Sequence, residues 1–146
     1  MQKVCAKSKR KRIGNEKKNI ENALLRLTML MAFDTNILTL IFLRDAVVIK
    51  KLMSVPATDQ CVPIVVLEEV LRGRMDAVRK AQSGQGSFTL VQAYGHLERA
   101  VGESTGYRIL SFNSGADGLV RTWQPLKLKI GVRDERIAAI AVTHGA

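Results

Sequence analysis

Histidine and cysteine are scarce, with two of each in 146 residues, and their placement leaves little room for soft-metal or disulfide chemistry. Cys5 and Cys61 sit in unrelated contexts with no Cys-x-x-Cys and no nearby histidine pair, so neither a zinc site nor a disulfide framework is expected. No apolar run reaches the roughly 18 residues that a membrane-spanning helix needs. The phosphate-cradling patterns Gly-x-Gly-x-x-Gly and Gly-x-x-x-x-Gly-Lys-Ser/Thr are also missing, and Ser83-Gly84-Gln85-Gly86-Ser87 reads as a flexible break. Residues 23–33 follow a basic region as a signal peptide does, but Arg26 interrupts them and Asp34 stands where small cleavage-site residues belong. The expected setting is the cytoplasm, with no membrane contact.

Aromatics make up only 5% of the chain beside 47% hydrophobic and 25% charged residues, an ordinary balance for an α/β protein. The length suits one domain, which at about 150 residues buries roughly 68–70% of its extended-chain surface. The formal charge of +10 is uneven: residues 1–29 hold nine Lys or Arg against Glu16 and Glu21, a net of +7, which leaves +3 for residues 30–146. Residues 1–28 lack apolar periodicity and are expected to form a basic, disordered extension. Such a tail favours polyanions through counterion release, yet a misassigned start at Met29, or an extension without function, explains it as well as an RNA-binding arm.

What the chain does have is an organising junction. Residues 27–33 are apolar or β-compatible and stop abruptly at Asp34-Thr35-Asn36, which suits a buried strand delivering an acid at its carboxyl end. Ligands of open parallel sheets sit beyond such ends. Capping of the next helix is the competing explanation for Asp34. Residues 37–43 and 46–53 read as two short helices. A second strand is expected over 61–66, although Pro63 fits poorly inside one. A helix then opens at Leu67 with Glu68 and Glu69 in its first turn, where a helix-dipole role competes with a site role. Residues 90–101 suggest the longest helix and 107–112 a third strand. Asn113 and Ser114 cap a helix whose Asp117 is structural. Asp134 is expected just before a last helix packed through residues 137–142 and closed by Gly145, and His144 in its final turn complements the dipole.

Three junctions each presenting an acid suggest a common edge, where converging carboxylates need a cation between them. Hard oxygen ligands suit Mg²⁺ or Mn²⁺, and such a metal activates water and offsets charge at a phosphodiester. The segments Phe33-Asp34-Thr35-Asn36, Val66-Leu67-Glu68-Glu69-Val70-Leu71-Arg72-Gly73 and Gly131-Val132-Arg133-Asp134-Glu135-Arg136-Ile137-Ala138-Ala139-Ile140-Ala141, with His144-Gly145-Ala146, resemble the successive signatures of PIN-domain ribonucleases. The nearest group is the VapC-type toxins of toxin–antitoxin pairs, and the likeness spans residues 29–146. It implies a three-layer α/β/α fold with a mostly parallel central sheet, Mg²⁺-dependent cleavage of RNA, an antitoxin as inhibitory partner and a homodimer.

Carried over by position, Asp34 and Asp134 resemble the main metal-binding aspartates. Glu69 matches the second acid because Gly73 follows it by four positions, with Glu68 as the fallback. Asn36, with Thr35, resembles the polar support of the metal site. The departure is at the C-terminus: the family continues into another strand, a Thr-Arg-Asn-like stretch and a further acid, so the expected domain lacks its last strand. An inactive remnant that still binds antitoxin or RNA therefore stands beside the toxin ribonuclease reading, and a plain nucleic-acid-binding protein driven by the tail is a third.

Overall fold

β2 (Gln60–Pro63) is the centre of the molecule, with all four residues buried and a parallel neighbour on each side. In the computed structural model, which describes residues 30–146, β1 (Met31–Ala32) pairs through Met31 with Gln60 and through Ala32 with Cys61. On the other side, Cys61, Val62 and Pro63 pair with Arg108, Ile109 and Leu110 of β3 (Arg108–Leu110). Parallel strands cannot be joined by tight turns and need long crossovers. The crossovers are α1 (Thr35–Phe42) with α2 (Ala46–Leu52), and then α3 (Ile64–Gln82) with α4 (Leu90–Ser104). After β3 come α5 (Ser114–Trp123) and α6 (Val132–His144). The result is an α/β fold with a three-stranded parallel sheet flanked by helices.

Successive side chains of a strand point to opposite faces, and the core divides accordingly. Phe33 and Val62 join Leu38, Ile41 and Phe42 of α1, Val66 and Val70 of α3 and Ala100 of α4. Cys61 and Leu110 join Ala116 and Val120 of α5 and Ala139 and Ile140 of α6. Burial pushes the Cys61 thiol above its ordinary pKa, against the opposing charge of Arg108.

The helix ends follow local chemistry. Asp45 caps α2 by accepting from the Val47 and Val48 amides, and Thr89 with Gln92 forms a reciprocal capping box on α4. The Asn113 side chain accepts from the Ala116 amide at 2.9 Å and caps α5. Gly145 closes α6 at φ 70°, a left-handed conformation that glycine adopts without a Cβ penalty.

Several boundaries differ from the pattern in the sequence. The strand expected over 61–66 stops at Pro63, and Ile64, Val65 and Val66 instead open α3. Pro63 has no amide hydrogen to extend a ladder, and its φ of −59° leads directly into the helix. Glu68 and Glu69 therefore fall in the second turn, beyond the dipole's main reach. The longest helix is α3 with 19 residues, not α4 with 15. α6 begins at Val132, so Asp134 lies inside its first turn and not before it. The apolar run 137–142 is only the packed part of that helix, and acids at Asp134 and Glu135 suit its amino end. The basic extension expected over residues 1–28, together with Cys5, lies outside the described residues. Among the described residues, no helix is long and apolar enough to cross a membrane.

The alternation on β3 gives a direct check. Leu110 is 1% exposed and Ile109 39%. Leu110→Ala is expected to destabilise the fold by about 2–5 kcal/mol in urea denaturation, whereas Ile109→Ala, at the more open position, costs clearly less.

Candidate functional site

The carboxyl ends of β1 and β2 both run directly into helices, and this places the sequence-predicted polar residues along one edge. Asp34 is the N-cap of α1: its Oδ1 accepts from the Ile37 amide at 2.7 Å. The capping role anticipated for it is therefore real, and its side chain stands exposed at the edge. Thr35 and Asn36 are the first residues of α1, Thr35 half-buried and Asn36 exposed.

Glu69 ties the edge together. Its Oε2 accepts from the Thr35 hydroxyl at 2.6 Å, across 34 positions of sequence. Its Oε1 accepts from Arg133 Nη1 at 2.5 Å, across 64 positions. One carboxylate on α3 thus bridges the start of α1 and the start of α6. Thr35 and Arg133 are the immediate chain neighbours of Asp34 and Asp134. Glu68 behaves differently: it is exposed and pairs with Arg72 one turn along the same helix. Asp134 is exposed, with its Oδ2 3.1 Å from the point where a Cβ on Gly131 would stand, so glycine leaves space for the carboxylate.

Hydrogen bonding sets the ionisation of Glu69. The Thr35 hydroxyl is the main cause holding its carboxyl below the usual range; desolvation opposes this, and the guanidinium groups of Arg133 and Arg72 reinforce it. The group is an anion at neutral pH. Its stabilising contribution is complete above the ordinary glutamate pKa of about 4.3 and is lost as pH falls through the lowered folded-state value.

The donor chemistry suits a hard divalent cation, because Asp34, Glu69 and Asp134 offer carboxylate oxygens and Thr35 and Asn36 neutral ones. The geometry is less complete. Among the described residues, no three His, Cys, Asp or Glu side chains group closely enough to hold a metal ion. The positive partner that Glu69 has in this structure is Arg133.

The fold has a counterpart among solved structures. A chain of a toxin–antitoxin complex from Klebsiella pneumoniae is similar in fold. The two align over 77% of this chain and 78% of that one, with a TM-score of 0.57. At 18% sequence identity the likeness is one of fold. No protein-family model matches the chain, and neither does any curated protein.

Arg133 is the member of this cluster to which the sequence reading gave no role. One signal was available: a guanidinium in the first turn of a helix is disfavoured by the dipole, so its place there suggests a partner elsewhere. Removing the hydroxyl with Thr35→Val is expected to raise the Glu69 pKa toward its ordinary value, read from side-chain carboxyl shifts in an NMR pH titration. An unchanged titration would show that the Thr35 bond is not what holds the proton off.

Proposed function

We propose that this protein is the toxin component of a type II toxin–antitoxin pair, an endoribonuclease of the PIN-domain, VapC-like type that hydrolyses RNA phosphodiester bonds with Mg²⁺ or Mn²⁺. In this reading the domain adopts the three-layer α/β/α arrangement of that family, and a cognate antitoxin is its protein partner. The observation that carries the proposal is the Glu69 bridge. It links the three chain segments whose sequences resemble the family signatures, through Thr35 at 2.6 Å and Arg133 at 2.5 Å. The fold shared with a chain of a toxin–antitoxin complex supports the same reading.

Asp34, Glu69 and Asp134 would hold the ion, supported by Asn36 and Thr35. When bound, the ion supplies an activated water and offsets negative charge at the scissile phosphate. The chain's own contribution is to hold the Glu69 carboxyl below its usual range through Thr35 and to hold Asp34 at the head of α1. Arg133 places a positive charge directly against Glu69.

A second reading draws on a specific observation. No three-acid group is assembled among the described residues, and a guanidinium already neutralises Glu69. That arrangement also suits a non-catalytic remnant that binds antitoxin or RNA without turnover.

Metal-dependent cleavage separates the two. Asp34→Asn, Glu69→Gln and Asp134→Asn are each expected to lower Mg²⁺-dependent cleavage of RNA by more than about 100-fold, beyond the usual effect of losing an outer-shell partner. Chelation should abolish it in the unaltered protein. RNA binding with no metal-dependent cutting at all would favour the remnant, and cleavage that survives all three substitutions would refute the assignment of the acids.

A further inference from the structure

A cavity of about 480 Å³ opens beside the carboxyl end of β3; Thr35, Glu69 and Arg133 do not line it, but two of its lining residues stand on the same helices as Glu69 and Arg133. Val65 and Arg136 contribute to its lining. Val65 lies four positions before Glu69 on α3 and Arg136 three positions after Arg133 on α6, so each is one helical turn from the bridge on the same face. Phe112 comes two residues after β3, at the carboxyl edge of the sheet where open α/β folds bind ligands. Asp117, Val120 and Arg121 of α5 and Gln124 of its extension complete the lining.

The chemistry of this lining is selective. Phe33 and Phe42 are buried in the core, and Phe88 packs edge-on against His96. Phe112 is 37% exposed and has no aromatic neighbour among the described residues. Arg121 is held by Asp117 at 2.9 Å, so its guanidinium is positioned but already neutralised. Arg136 is exposed and has no ion-pair partner among the described residues. The cavity thus offers one guanidinium with no ion-pair partner among the described residues, the neutral Arg121–Asp117 pair, an exposed aromatic ring and an amide. Its volume lies in the range of sites that enclose a small organic ligand, about 300–1,000 Å³.

A positive charge beside an accessible aromatic face is the pairing that a nucleotide unit satisfies, with its phosphate on arginine and its base stacked on the ring. We propose that this cavity is the subsite for the nucleotide next to the scissile phosphate of a single-stranded RNA. The proposal rests on the ribonuclease reading for its distance from the reacting bond. In this assignment Arg136 takes the phosphate, Phe112 stacks the base and the Gln124 amide meets the base edge. A base must leave its helix to stack on a side chain, so duplex RNA is excluded from the site.

The test uses the full chain in the presence of a chelator, so that binding is measured without cleavage. A short fluorescent single-stranded RNA, the same sequence as a duplex, and free mononucleotides as competitors serve as probes in anisotropy titrations. The single strand should bind more tightly than the duplex and resist competition by mononucleotides. Phe112→Ala and Arg136→Gln should each weaken single-strand binding about tenfold, within the range of one lost base stack. Thermal melts of both pocket variants, whose altered side chains are solvent-exposed, should match the unaltered protein. Duplex bound as tightly as single strand, mononucleotides competing on equal terms, or full affinity in both pocket variants would each overturn the subsite. The ribonuclease reading fails separately, by the absence of any metal-dependent cleavage of RNA by the unaltered protein, and the binding titrations still decide the cavity.

Discussion

Everything in this fold depends on a strand of four residues that has no free side. β2 is hydrogen-bonded to a parallel neighbour along each edge and covered by an apolar cluster on each face. Backbone groups in such a position have no access to water, so the ladder must satisfy them. Parallel pairing then requires that each strand be followed by a helical crossover, and every strand end becomes a helix start. The polar residues at those turns gather at one edge because the topology leaves them nowhere else to go.

Glu69 turns that shared edge into a connected site. A half-buried carboxylate without partners would be costly to ionise, yet this one receives a hydroxyl hydrogen bond on one oxygen and a guanidinium on the other. The same contacts pin α1 and α6 to α3. Structure and proton affinity are therefore coupled at one side chain: whatever loosens Thr35 or Arg133 changes both the packing of three helices and the hold of the Glu69 carboxylate on its proton.

Much of this was legible in the sequence, and the failures have physical causes. The β1–α1 junction is visible because an apolar run ends at Asp34-Thr35-Asn36, and the α5 cap is visible in Asn113. The end of β2 is not. Ile64, Val65 and Val66 are β-branched, and local preference assigns them to a strand. In the fold Val66 packs with the α1 cluster and Val65 with the α6 cluster, a division that a helix wedged between both accommodates. The start of α6 differs from the pattern because residues 132–136 carry little apolar periodicity; Gly131 supplies no side-chain cap, and the local signal is the charge of Asp134 and Glu135 in the first turn. The partnership of Arg133 with Glu69 spans 64 positions, and no local pattern encodes it.

Cys61 sits at the heart of β2, fully shielded, with a thiol that burial keeps protonated at neutral pH. Only the thiolate attacks electrophiles, so this sulfur is inert for as long as the strands stay together. It acts as a built-in clock for the molecule, because the pace at which a small alkylating reagent captures it measures how often the central ladder parts.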